Sequence, residues 1–212
     1  MKVRVRYEWD EYFNPYYNKW MRIGNSGWSI NGLLRRNPTL KSSVVGGNRY
    51  LTEPEMQINA RYIAGEFIKK HGWSLNAVAG MLGNMQAEST INPGIWQQLK
   101  DDRKDFGFGL VQWTPSTKFT NWAKERGKNY LDIDVQIERI ILEVKNEIKQ
   151  WESAKNSFDM SFYEYSTAVL PPEKMSEIFL LSYEKPDVKN QQVIIKRGNY
   201  AIDWYEYLPR YL

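Results

Sequence analysis

Residues 73–94 read WSLNAVAGMLGNMQAESTINPG and, after a polar insert, residues 107–115 read GFGLVQWTP. The first stretch is predicted to be a helix bounded at both ends. The Ser74 side chain is suited to cap its free amides, and Asn92, Pro93 and Gly94 stop it. Ala77, Met81, Met85 and Glu88 recur at helical spacing, so Glu88 continues an apolar stripe instead of a solvated face. Desolvation there disfavours the charged carboxylate, and a raised pKa suits a glutamic acid to donate a proton near neutral pH. On helix spacing alone the plainer reading, a glutamate fraying into solvent, is the stronger. The second stretch tips the balance. Gly107, Gly109, Leu110, Gln112 and Trp113 make a glycine-rich aromatic segment whose backbone can approach a ligand closely. Phe106, Phe108, Leu110 and Gln112 alternate with Gly107, Gly109 and Val111, which predicts an extended segment or hairpin with one side aimed at a cleft.

Glu88-Ser89 followed by Gly109-Leu110-Val111-Gln112 resembles the ES and GLxQ motifs shared by goose-type lysozymes and soluble lytic transglycosylases. The wider run with GMLGNMQAESTINPG and GFGLVQWTP is similar to the tail-tip lysozymes of short-tailed phages that infect Gram-positive bacteria. The similarity continues through QIERIILEV at 136–144, FLLSYEKP at 179–186 and RGNYAIDWY at 197–205, so it spans roughly residues 48 to 212. The resemblance implies a mainly α, lysozyme-like α+β fold with a small β-hairpin and a cleft between the Glu88 helix and the GFGLVQW segment. It implies a muramidase in which Glu88 protonates the β-1,4 glycosidic oxygen between N-acetylmuramic acid and N-acetylglucosamine. Gln112 and the backbone near Gly109 and Leu110 are expected to hold the N-acetyl and hydroxyl groups, Trp113 and Trp96 to stack on sugar faces, and Ser89 to hydrogen-bond near the acid.

An inverting glycosidase needs a second carboxylate, roughly 6.5 to 9.5 Å from the acid, to activate water. The insert before Gly107 supplies Asp101, Asp102 and Asp105 as the candidates for that base, Asp105 and Asp102 foremost. For any one of them a solvated loop is the plainer fate. Goose-type lysozymes carry an aspartate two positions beyond the GLxQ glutamine, where this chain has Thr114. Lytic transglycosylases need the acid alone, so both outcomes stay open. Glu184, in the SYEKP element, is another possible site residue, with a structural role the favoured reading.

Composition narrows the chemistry. Lysine and arginine total 29 against 25 acids, a net charge of +4 that suits an anionic partner such as cell wall. The basic residues are scattered and form no nucleic-acid module, so nucleic acid ranks below peptidoglycan. There is no cysteine, and His71 is the single histidine, which excludes thiol chemistry and a multi-histidine zinc site and leaves carboxylates for hydrolysis. His71 itself reads as a cation at a helix C-terminus. No metal or organic cofactor is implied. No apolar run reaches membrane-spanning length and the N-terminus lacks the apolar region of a signal peptide. Delivery to the wall then falls to a virion tail, with other phage tail proteins as further partners and no membrane partner.

Residues 1–47, dense in aromatics, Asn, Gly and Arg, are predicted to form an appendage of short strands and turns with a strand near Val3 to Tyr7. Its aromatics serve either as a sugar or protein docking surface or, the favoured reading, as a small core. Residues 48–212 are predicted to form the lysozyme-like domain. Thr52 with Glu55 signals a capping box, and the helix that follows is expected to pair with the Glu88 helix through Gly80, Gly83 and Ala87. Ile137, Ile140, Ile141, Val144, Ile148 and Trp151 predict an amphipathic helix from about Asp132 to Trp151, with Glu138, Glu143 and Glu147 solvated. Three rival functions remain: a lytic transglycosylase, a non-catalytic tail or wall-binding protein, and a nucleic-acid-binding protein.

Overall fold

The computed structural model describes residues 44–101, 103–153, 158–186 and 190–212, together with the backbone of three strands nearer the N-terminus. The chain divides into two units, Met1–Ser42 and Ser43–Leu212. In the first, β1 (Val3–Arg6), β2 (Trp9–Asn14) and β3 (Lys19–Arg22) pair antiparallel in chain order, with Val3 opposite Tyr12 and Tyr12 opposite Met21. The expected roles of the aromatic side chains there fall outside the described residues.

The second unit is mainly helical. Its first helix, α1 (Glu53–Ala64), begins at a capping box in which the Thr52 amide donates to the Glu55 carboxylate over 2.9 Å, and it runs on as a π-helical segment, Gly65–Lys70. His71 follows, and partial desolvation lowers its pKa, so the expected helix-end cation is disfavoured. The next helix, α2 (Leu75–Ser89), starts at Ser74, whose hydroxyl accepts from the Ala77 amide at 3.0 Å. Ten of its fifteen residues are buried, including an unbroken run from Ala77 to Met85, which makes it the central helix of the unit. Thr90 and Ile91 end it in left-handed conformations, φ 53° and 55°.

What surrounds α2 comes from the far end of the chain. After α3 (Thr117–Glu125), α4 (Ile133–Val144) and the short α5 (Phe162–Thr167), two helices pack on α2: α6 (Pro172–Phe179), which continues as a π-helical turn Leu180–Glu184, and α7 (Gln191–Tyr207). The glycines expected to face α1 face these two instead. A Cβ on Gly80 would lie 2.6 Å from the Met175 side chain, and one on Gly83 2.6 Å from the Arg197 carbonyl oxygen, while Ala87 is exposed. Side-chain volume is excluded at those two contacts, and that lets α6 and α7 approach α2 closely.

The amphipathic helix is shorter than its apolar periodicity predicts. Asn146 takes φ 58°, its amide donates to the Glu143 carbonyl at 3.1 Å, and the Glu147 amide donates to the Leu142 carbonyl at 3.0 Å. This paired arrangement is a Schellman stop with asparagine in the left-handed position. Beyond it Trp151 still packs inward, stacked at 4.5 Å on Phe162. The segment 106–113 also departs from expectation. Gly109 at φ 81° and Gln112 at φ 50° break the alternation of a strand, leaving turns with two isolated bridges, Trp96 to Phe108 and Phe108 to Trp113.

Candidate active site

Glu88 lies in the last turn of α2 with about a quarter of its side chain exposed (26%). It does not rest on a wholly apolar surface as the periodicity suggests. Its Oε1 accepts a short hydrogen bond from Arg197 Nη2 on α7, and the guanidinium is itself mostly covered. Arg197 Nη1 donates to Asn84 Oδ1 at 3.0 Å, and Asn84, buried one turn before Glu88, donates to the Gly80 carbonyl at 3.0 Å and to the Ser176 carbonyl at 3.0 Å. Three helices thus fix the carboxylate: α2 carries it, α7 supplies the cation, and α6 anchors the asparagine that holds the cation.

The second motif is joined to the first by Ser89. That residue is fully buried, and its hydroxyl lies 2.8 Å from the Leu110 carbonyl and 2.9 Å from the Met85 carbonyl. Ser89 therefore ties the turn to the helix end and does not face a ligand. Trp113 is likewise buried, and Trp96 is 8% exposed and packs on Phe108 at 4.6 Å, so neither offers a free face for a sugar; the Leu110 backbone, expected to hold sugar groups, is engaged by the Ser89 hydroxyl and by Gln136. These are corrections to the expected contacts. Gly109 is also buried, where a Cβ would lie 2.7 Å from Gln136 Oε1. Gln112 is the side chain of the motif that keeps partial exposure, and its Nε2 donates to the Gly109 carbonyl at 2.9 Å.

Gln136 of α4, signalled by nothing but its place in QIERIILEV, pins the turn from behind. Its Oε1 accepts from the Leu110 amide at 2.9 Å and its Nε2 donates to the Pro93 carbonyl at 2.6 Å. Glu143 is a second such residue. Expected in solvent, it is buried, and its carboxylate accepts from Arg139 Nε at 2.8 Å, Trp113 Nε1 at 3.1 Å and the Tyr183 hydroxyl at 2.5 Å. Burial raises its pKa, against the pull of those three donors. A charge so enclosed persists only when it is paired and hydrogen-bonded.

Glu184, next to Tyr183, belongs to the same cluster. The residue is half-buried, but its Oε1 is sealed from solvent and has no hydrogen-bond partner. Burial pushes its carboxyl well above the usual range, the negative charges of Glu88 and Glu143 add to that, and Arg197 opposes it. The sequence offered Glu184 as a possible site residue and favoured a structural role, and Arg197 was signalled by nothing but its place in RGNYAIDWY.

The described aspartates of the insert have partners of their own. Asp105 is exposed and forms an ion pair with Arg103 at 2.8 Å, which lowers its pKa. Asp101 is exposed and accepts from Asn48 Nδ2 at 2.6 Å, and Asp102 lies outside the described residues. Among the described residues no hydrogen bond or ion pair links either Asp101 or Asp105 to Glu88, and no three His, Asp or Glu side chains converge to hold a metal ion.

The model of the phage tail lysozyme family matches residues 58–208, a span that takes in Glu88, Gln112, Glu184 and Arg197 and leaves out β1 to β3. The chain is also similar to "Morphogenesis protein 1" of Bacillus phage B103, with 45% identity over 161 residues, 76% of this chain and 42% of that protein. It therefore spans less than half the length of that relative.

Proposed function

The chain belongs to the phage tail lysozyme family, and from that premise we propose that it is a muramidase, cleaving the β-1,4 bond between N-acetylmuramic acid and N-acetylglucosamine with Glu88 as general acid. The observation that carries this reading is the placement of Glu88: a partly exposed carboxylate at the end of a buried helix, held by Arg197 and set beside a turn that Ser89 and Gln136 lock in place. A carboxyl held that rigidly can meet a glycosidic oxygen in one geometry, the condition for proton transfer as the bond breaks. Gln112, partly exposed on the same turn, and neighbouring backbone groups would orient the sugar.

The likeness to a Bacillus phage morphogenesis protein supports a place in a virion tail, where the enzyme would open the wall locally as DNA enters the cell. Peptidoglycan is then the substrate, and other tail proteins are the structural partners.

One observation favours a second reading. Asp105 is engaged by Arg103 and its lowered pKa makes it a weak base, so a lytic transglycosylase, in which a hydroxyl of the substrate closes on the sugar carbon, remains a rival with the same acid. Digestion of Gram-positive peptidoglycan followed by mass spectrometry of the released muropeptides separates the two. Muramic reducing ends are expected. Anhydromuramic ends would replace the muramidase reading with the transglycosylase, and intact wall would leave a binding protein.

A further inference from the structure

Arg197 carries more hydrogen-bonding capacity than this structure uses. Its Nη1 and Nη2 are engaged by Asn84 and Glu88, but its Nε is buried without a partner. On the same cluster Glu184 presents the complementary vacancy, a buried carboxyl oxygen that accepts from nothing. Buried donors and acceptors are ordinarily matched, so an unpaired donor on Arg197 and an unpaired acceptor on Glu184, whose charges interact, need a reason. A second ion pair, unmade in this arrangement, supplies it.

We propose that Glu184 is a positioning residue for the proton on Glu88: the two carboxyls hold one proton between them, and Arg197 pairs with whichever is ionised. This rests on the reading of Glu88 as the acid. In one state of the pair Glu88 is the anion, held by Arg197 in the contact seen here, and Glu184 carries the proton. In the other, the proton leaves the Glu184 O–H and forms the Glu88 O–H, and the guanidinium turns to the Glu184 carboxylate. The trio is neutral overall in both, so the exchange carries no net charge into the interior, where an unpaired charge is costly.

The exchange resolves a conflict in the site. A carboxylate tied to arginine has no proton to give, and an acid must have one when the substrate is bound. After the exchange Glu88 transfers its proton to the glycosidic oxygen as the C–O bond breaks and its electron pair goes to that oxygen. The hydroxyl that adds to the sugar carbon releases a proton, which restores the shared one.

The anchors for such a move are in place. Asn84 fixes one end of the guanidinium through bonds to Gly80 and Ser176, leaving the rest to pivot. The charged groups facing Glu184 are Glu88 from α2, Arg197 from α7 and Glu143 from α4, the last already neutralised by Arg139. Burial, together with the first and last of these, favours the protonated form of Glu184 in the arrangement seen.

The test combines carboxyl titration with the pH dependence of wall cleavage in the full chain. Glutamate side-chain carbon NMR of the wild type is expected to hold one carboxyl protonated through neutral pH, and Glu184→Gln to lose that signal. In Glu184→Gln, kcat at pH 7 is expected to fall at least ~10-fold with KM little changed, and the alkaline limb to move at least about one unit to lower pH, so that acidification restores activity. Glu184→Asp should restore part of the neutral-pH rate. A loss equal at every pH, an unchanged profile, or a wild type with no protonated carboxyl would overturn the proposal. Should the wild type cleave no wall, the reading of Glu88 fails by itself. The titration still decides the shared proton, because Glu88→Gln must then shift the protonated signal if the two carboxyls are coupled and leave it unmoved if they are not.

Discussion

Glu143 joins three parts of the protein through one side chain: Arg139 on its own helix, Trp113 of the glycine-rich turn and Tyr183 ahead of Glu184. Removing it leaves a covered guanidinium without its anion, so Glu143→Ala is expected to cost about 3–5 kcal/mol, read as a fall in the denaturant midpoint. Glu55 gives a milder and pH-dependent case. The Arg49 hydrogen bond holds its carboxyl down to about 2 from an ordinary 4.5, so the unfolded chain binds more protons between those values. Its contribution to stability is present above 4.5 and lost as pH falls through about 2. Glu55→Gln should therefore lower Tm at pH 7 and leave it almost unchanged near pH 2; equal loss at both would refute the assignment. At this scale the legible residues were those inside motifs, Glu88 and Gln112. Arg197, Gln136 and Glu143 were not, because each acts through partners dozens of residues away, and Glu143 lay off the apolar stripe that periodicity detects.

The central element is α2, and its glycines decide what lies against it. At Gly83 an added methyl would strike the Arg197 carbonyl at 2.6 Å and the Ala201 amide at 2.8 Å, both backbone atoms that cannot swing aside. Gly83→Ala is expected to push α7 away, costing roughly 1–3 kcal/mol and loosening the Arg197 grip on Glu88. Thermal unfolding measures the first effect and the rate of wall cleavage the second; a variant with wild-type Tm and rate would contradict the packing described. The caps at Ser74 and Thr52 and the apolar faces were readable in the chain because they depend on near neighbours. Two things were not. The partners of α2 are set by long-range packing, and the end of α4 is set by Asn146 entering a left-handed conformation that apolar periodicity does not register.

For the molecule as a whole, the family match over residues 58–208 and the division at Ser42 and Ser43 place every candidate site residue in the second unit. A chain of residues 43–212 is expected to fold with a single cooperative transition and to cleave purified wall at a rate comparable to the full chain; loss of folding on truncation would show that the first unit is part of the same cooperative structure. Among the described residues no helix is long and apolar enough to cross a membrane. The central claim is that Glu88 delivers the proton, and it is tested most directly by comparing wild type and Glu88→Gln on the same purified peptidoglycan, with circular dichroism verifying that both are folded. The account predicts a loss of ~10²–10⁴-fold in the cleavage rate with wall binding retained. Equal cleavage by the two proteins would contradict it.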